Sequence, residues 1–266
     1  MHYLNREQAA LPPDLWEGID ETARSAARER LTGRRFLDLD GPYGLGLTSI
    51  EVGTDDYCRT PEKGEAGAVM SKAISVPMVR KSCQLSVRRI QAYLDMGQLL
   101  DLSPVEDAAE AVAAREEELL YYGQPDFHLY GLMNAPNRNE AKLSDWTQSD
   151  QALNDLLAAV EKLEESGYHG PYALVADPTH YNNLFRRYEG TDMLQLQHLK
   201  SLCELGVFKA PVRGAAVVDS HVGRLVQGQD LMVGYDSNDG IHYHLFVNES
   251  IVLQLQEPGA VCTLTA

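Results

Sequence analysis

Three groups of side chains in this sequence have the types and spacing to do chemistry, and each also has a plainer explanation. His242 and His244 lie two apart in a segment that reads as a strand, so they share one face and offer a pair of metal ligands. The plainer reading is an edge strand with two half-exposed histidines. Glu116, Glu117 and Glu118 fall near the end of a helix, where paired carboxylates can serve acid–base work. The plainer reading puts all three on a solvated face. Gly41, Gly44 and Gly46 invite a dinucleotide loop, yet Gly44-Leu45-Gly46 runs on into Leu47, Thr48 and Ser49, without the further glycine that the phosphate turn needs. A tight turn is the better reading.

Other catalytic signatures are missing from the sequence. It contains no Gly-x-Ser-x-Gly elbow, no phosphate-binding Gly-x-x-x-x-Gly-Lys-Ser/Thr loop, no His-Glu-x-x-His pair and no Glu-x-x-His di-iron pair. Cys58, Cys83, Cys203 and Cys262 are far apart, so no Cys-x-x-Cys zinc or redox site exists. Buried free thiols are expected, and a disulfide across a subunit contact stays open. Neither a cofactor nor a metal is expected.

The charge sets a further bound. With 23 Lys and Arg against 39 Asp and Glu, the formal net charge is −16. Nucleic-acid binding calls for clustered cations that release phosphate counterions, and Arg34-Arg35, Arg88-Arg89 and Arg186-Arg187 are isolated pairs. No apolar run approaches the ~20 residues of a membrane span, and no secretory signal opens the chain, so the expected compartment is the cytosol. A chain of this length buries roughly three quarters of its unfolded surface, enough for one large domain or two small ones.

The elements that must carry these residues follow from periodicity. Residues 12–31 are expected to form a helix, with Pro12-Pro13 at its entrance, Leu15, Trp16, Ile19, Ala23, Ala26, Ala27 and Leu31 at helical spacing, and Gly33 closing it. A short strand over 35–39 and a turn at Gly41 to Gly44 follow. Residues 48–76 read as a long hairpin arm with little core of its own. An arm of this kind gains most by draping over a neighbour. Residues 83–97 read as one amphipathic segment. The clearest helix runs 103–122, opened by a Ser103, Pro104 and Glu106 capping box and carrying Val105, Ala109, Val112, Leu119 and Leu120 as its buried stripe. Residues 125–146 read as loop. Beyond them lie a helix over 153–163, a buried strand Tyr172–Ala176, a helix start capped by Asp177, a helix over 193–205 and a strand over 215–219. The tail is β-rich, with strands at 231–235, 242–247, 251–255 and 261–264 and a hairpin turn at Ser237 to Gly240. An α+β fold with a discontinuous domain follows.

Four blocks of residues, in register along nearly the whole chain, resemble the family-one encapsulins. The first comprises Leu4-Asn5-Arg6, Leu11-Pro12, Trp16, Ile19-Asp20, Leu31, Gly33-Arg34-Arg35-Phe36, Asp38 and Gly41-Pro42-Tyr43-Gly44. The second is the helix from Leu102 to Gly123, the third Gly170-Pro171-Tyr172-Ala173-Leu174-Val175. The fourth is Gly228 to Asp236 followed by Leu245-Phe246-Val247-Asn248-Glu249-Ser250. The resemblance implies a non-enzymatic subunit of a hollow icosahedral shell with the tailed-phage major capsid fold of the Hong Kong 97 type. It implies a peripheral domain from 1–47, 77–130 and 220–266, an extended loop over 48–76 and an axial domain over 131–219. Closed symmetry then asks for about 60 copies or a larger multiple.

The resemblance further implies a cargo enzyme of ferritin-like, peroxidase or hemerythrin type, held on the inner wall by a C-terminal targeting peptide. The docking candidates carried over are Arg34, Asp38, Leu231, Val233 and Tyr235, with core packing of Leu231 and Val233 as the competing reading. The implied fivefold pore loop holds Glu189, Gly190, Thr191 and Asp192. A phage capsid protein is the first alternative; the match beginning by Leu4 leaves no space for a scaffolding segment. A hydrolase is the second, and no nucleophile–base pair speaks for it.

Overall fold

In a computed structural model that describes residues 2–148, 150–188, 190 and 192–265, the chain opens with α1 (Pro13–Arg30), a 3-10 turn (Gly33–Arg35) and the short strand β1 (Asp38–Asp40). The arm is β2 (Ser49–Tyr57) and β3 (Val69–Ser75); β4 (Met78–Ser86) runs directly into α2 (Val87–Met96), and α3 (Ser103–Tyr122) follows. Then come β5 (Asn139–Lys142), α4 (Gln151–Glu165), β6 (Tyr172–Ala176), α5 (Pro178–Asn183), α6 (Gln195–Leu202), β7 (Gly206–Lys209) and β8 (Ala215–Asp219). The chain ends in β9 (Gly223–Asn238), β10 (His242–Leu255) and β11 (Val261–Thr265).

Three sheets organise these elements. A four-stranded sheet has the order β1-β9-β10-β4, a five-stranded sheet the order β5-β11-β8-β6-β7, and β2 and β3 form a two-stranded sheet. Beneath α1 and α3, Leu15, Trp16, Ile19, Ala23 and Ala27 pack with Val105, Ala109 and Val112 against Leu231, Val233 and Leu245 of the first sheet. A second core, from Phe36 and Leu37 through Leu120 and Tyr121 to Val218 and Val261, joins the two larger sheets. The helices α4 and α6 close the outer face of the five-stranded sheet through Leu156, Leu163 and Leu199. The arm has little of this support: Val69 and Met70 are exposed, and at its base Leu47, Ile50, Ile74 and Val76 join a small cluster with Val226 and Val252.

Several expectations need correcting. The segment 83–97 is not one amphipathic unit: it is strand through Ser86 and helix from Val87. No side-chain capping box opens α3; Asp101 accepts from the Ser103 backbone N–H at 3.0 Å instead. Leu119 is only half-buried on that helix. Gly33 does not close α1, which ends as Leu31 turns extended. Its value is space, because a Cβ there would stand 2.0 Å from Leu120 Cδ2. The stretch read as loop contains β5, and the tail strands read as fragments are the continuous β9 and β10. β11 pairs with β5 and β8, so Val261–Thr265 joins the five-stranded sheet and not the sheet of β9 and β10. Asp177 does cap α5, accepting from the His180 N–H at 2.9 Å.

Candidate functional site

Where α1 ends, three segments far apart in sequence are tied together by charge. Arg34 donates from Nε and Nη2 to both oxygens of Glu116, at 2.8 and 2.7 Å, and from Nη2 to Glu249 Oε2 at 2.8 Å. Asp230 stands 3.8 Å from its Nη1. The Glu116 and Glu249 side chains keep 2% and 0% of their surface exposed, so neither carboxylate has water to stabilise its charge. One guanidinium cannot neutralise both. Burial, and then the nearby Glu116 charge, push the Glu249 pKa well above the ordinary carboxylate range, with Arg34 opposing. Glu249 Oε1 accepts from no donor among the described residues, as suits a protonated carboxyl. Burial disfavours the Arg34 charge, but the Glu116 bond and the carboxylates around it win, and its pKa is raised.

The neighbouring Glu117 holds the same exit loop. It accepts from the backbone N–H of Thr32 at 2.9 Å and of Gly33 at 3.0 Å, and from the Thr32 hydroxyl. Burial raises its pKa against these bonds. The expected solvated face of Glu116, Glu117 and Glu118 is thus correct for Glu118 alone. The first two are buried because α3 turns them toward the N-terminal segment, where Arg34 and two N–H donors meet them.

This clamp forms one wall of a groove of about 390 Å³ between the last turns of α1 and the β1 edge of the first sheet. Ala27, Leu31, Leu39 and Leu231 give it an apolar floor. Arg24, Arg28, Arg34 and Arg35 give it a basic rim, and Asp230 and Gln227 lie on the far side. Past the end of β1, the backbone of β9 is already satisfied. Gln227 O accepts from Tyr43 N at 3.0 Å and Gly228 O from Gly44 N at 2.5 Å. Farther along β9, Val233 O accepts from Arg6 Nε at 2.8 Å, and Val233 N donates to Asp20 Oδ1 at 3.3 Å.

Of the docking candidates, Arg34 and Leu231 line the groove. Val233 has no exposed surface and Tyr235 is buried; both pack in the core beneath α1, so their side chains are not on the groove surface. Asp38 is exposed on β1 but points away from the groove that its neighbour Leu39 lines. Arg24, Arg28, Arg35 and Leu39 were not among the expected residues. Of the pore candidates, Glu189 and Thr191 lie outside the described residues. Gly190 and Asp192 sit in the exposed loop closed by the Arg187–Leu194 bridge, and Asp192 is paired with Arg187 at 2.9 Å.

The histidine pair is a turn clasp on an inner strand, not an edge. His244 Nε2 is 3.1 Å from Asp239 Oδ2 and His242 Nδ1 is 3.7 Å from it, while β10 lies between β9 and β4. Asp239 also accepts the backbone N–H of His242 and of Ile241, which, with His244, hold its pKa far down. Cys83, Cys203 and Cys262 are buried free thiols, with burial pushing them up to about 11, 12 and 11; Cys58 is exposed.

Comparison with known proteins places this architecture. The chain belongs to the family described as encapsulating protein for peroxidase, whose model matches residues 1–252. It is 30% identical over 275 residues to the type 1 encapsulin shell protein EncA of Myxococcus xanthus, covering 98% of this chain and 96% of that one. It is also 30% identical to a diheme-cytochrome-encapsulin shell fusion protein of Kuenenia stuttgartiensis, covering 94% of this chain and 72% of that protein. Among solved structures, the virus-like particle from Pyrococcus furiosus matches with a TM-score of 0.72 at 21% identity, over 94% of this chain and 99% of that one. The capsid of Myoviridae phage XM1 matches with a TM-score of 0.58 at 16% identity, over 87% and 90%. The fold is that of the tailed-phage capsid proteins, and the kinship in sequence is with encapsulin shell proteins.

Proposed function

We propose that this chain builds the wall of a shell that encloses an enzyme, and that the enzyme is brought in on a C-terminal targeting peptide docked between α1 and β1. The groove carries this reading: an apolar floor with a charged rim, open to solvent, whose walls are fixed by the Arg34 clamp. An extended peptide with small and apolar side chains fits such a surface. The subunit's role is structural, and the chemistry belongs to the cargo. A peroxidase is the cargo to test first, since the family description names one.

The assembly side of the proposal draws on exposed apolar surface. Val69 and Met70 on the arm, Met78 beside it, and Leu99 after α2 are each more than half exposed in the single subunit. Such side chains mark contact surfaces in a protein that assembles. Copies close with icosahedral symmetry, about 60 or a larger multiple, in the cytosol, with the groove facing the lumen. The loop with Gly190 and Asp192 lines the opening at the fivefold axis.

Co-expression with a fluorescent protein tests the docking. With a targeting tail, fluorescence should co-sediment with intact particles; without the tail, or with Leu39→Glu in the shell, it should not. Loading that ignores both the tail and Leu39→Glu would overturn the proposal.

A further inference from the structure

The rim of the groove has a charge opposite to that of the rest of the molecule. In a chain with net charge −16, four arginines converge on one opening and face a single carboxylate. They are not equivalent. Arg34 is consumed by Glu116 and Glu249, and Asp230 lies on its remaining side. Arg24 donates to Asp20 O and sits 3.9 Å from Glu21, one turn back on its own helix. Arg28 and Arg35 have no carboxylate partner among the described residues. Among the described residues, Arg35 Nη2 donates to the backbone carbonyl of Arg28 at 3.3 Å, which ties the Arg35 guanidinium to the end of α1 at the mouth. Two exposed guanidiniums that share one mouth over an apolar floor, neither with a carboxylate partner among the described residues, favour an anionic ligand.

We propose that the peptide this groove takes is acidic: an extended apolar tail whose side chains include Asp or Glu placed to meet Arg28 and Arg35. The inference rests on the docking reading and adds the charge of the ligand to it. The apolar residues fill the floor at Leu31, Leu39 and Leu231, and the carboxylates pair with the guanidiniums of Arg28 and Arg35. Arg34 is not the residue that reads the peptide's charge. A basic tail meets four arginines and is rejected, so the rim selects among cargoes as well as holding one. The same logic makes loading weaken as salt rises, since the pairs are exposed.

The test uses assembled shells co-expressed with a fluorescent protein carrying a Leu–Gly tail in which the same positions hold Asp, Ser or Lys. An exposed ion pair changes affinity by about fivefold at most, so with two guanidiniums the Asp tail should load roughly tenfold better than the Lys tail, with Ser between. Arg28→Glu with Arg35→Glu should invert that order in particles of normal size. Amidating the terminal carboxylate of a synthetic Asp tail should leave its binding to purified shells unchanged, which separates acidic side chains from a chain end. Equal loading of all three tails, or a preference for Lys, overturns the acidic specificity while leaving docking in place. No tail-dependent loading at all, with Leu39→Glu also silent, overturns the docking reading itself.

Discussion

Arg34→Met is the substitution whose outcome separates a residue that binds a ligand from one that holds the fold. Methionine matches the length of the stem but removes the cation from between Glu116 and Glu249. Both carboxylates are buried, and both would then be left without a countercharge. Breaking a buried charge pair from one side costs about 3–5 kcal/mol. Against a total stability of about 5–15 kcal/mol, this is a third or more of what keeps a domain folded. Protonating both glutamates recovers part of it, because Glu249 already favours its neutral form. The assay is urea unfolding followed by the fluorescence of Trp16 and Trp146, with particle yield measured in parallel. Arg34→Met should lower the midpoint sharply and cut the yield of particles. Adding Glu116→Gln and Glu249→Gln to it should restore much of both, since the stranded charges are gone. Arg34→Lys should fall between, because an ammonium cannot make the bidentate bond to Glu116. Particles of Arg34→Met with the wild-type midpoint that merely fail to load cargo would refute this reasoning and return Arg34 to the docking surface.

Further outcomes follow from the same contacts. Glu249 has a raised pKa in the folded protein, so the stability it contributes is present at low pH and is lost as pH rises from the ordinary carboxylate range through the raised value. Urea midpoints measured across that range should fall with pH for the wild type and stay flatter for Glu249→Gln. Glu117→Ala strands the backbone donors of Thr32 and Gly33 at about 1–3 kcal/mol each, read as a drop in melting temperature, and Glu117→Gln should cost less. Gly33→Val drives a side chain into Leu120 and should destabilise by about 1–3 kcal/mol in the same melt. Met70→Asp in the arm should leave the circular dichroism of the subunit unchanged and shift it from particles to small species on size exclusion, because the residue touches no core of its own chain.

The fold was legible where local pattern and tertiary role agree. The arm could be recognised because its alternation carries too little apolar weight to pack, and its strands form a two-stranded sheet of their own. Tyr172–Ala176 and Ala215–Asp219 are continuous apolar runs, and both are central buried strands. Legibility failed where polar residues are buried. Gln227, Gln229, Asn248 and Glu249 interrupt the apolar pattern of β9 and β10, so two long strands read as fragments. Glu116 and Glu117 follow Val112 and Ala113 by one turn and so fall on the buried stripe of α3, but their type argued for solvent. The partner that reverses that argument, Arg34, is 82 residues away. β11 follows β10 closely in sequence but pairs with β5 and β8, a partnership that no local pattern shows. The groove had a fainter signal: Arg24 and Arg28 are one turn apart beside the apolar stripe of α1. That spacing alone does not show what faces them; the β1 edge does.

Electron microscopy of the protein expressed alone tests the shell role most directly. Uniform hollow particles of icosahedral outline are expected, without any cargo to template them. A small, well-defined oligomer with no closed particle, from protein whose circular dichroism and unfolding show it to be folded, would contradict it.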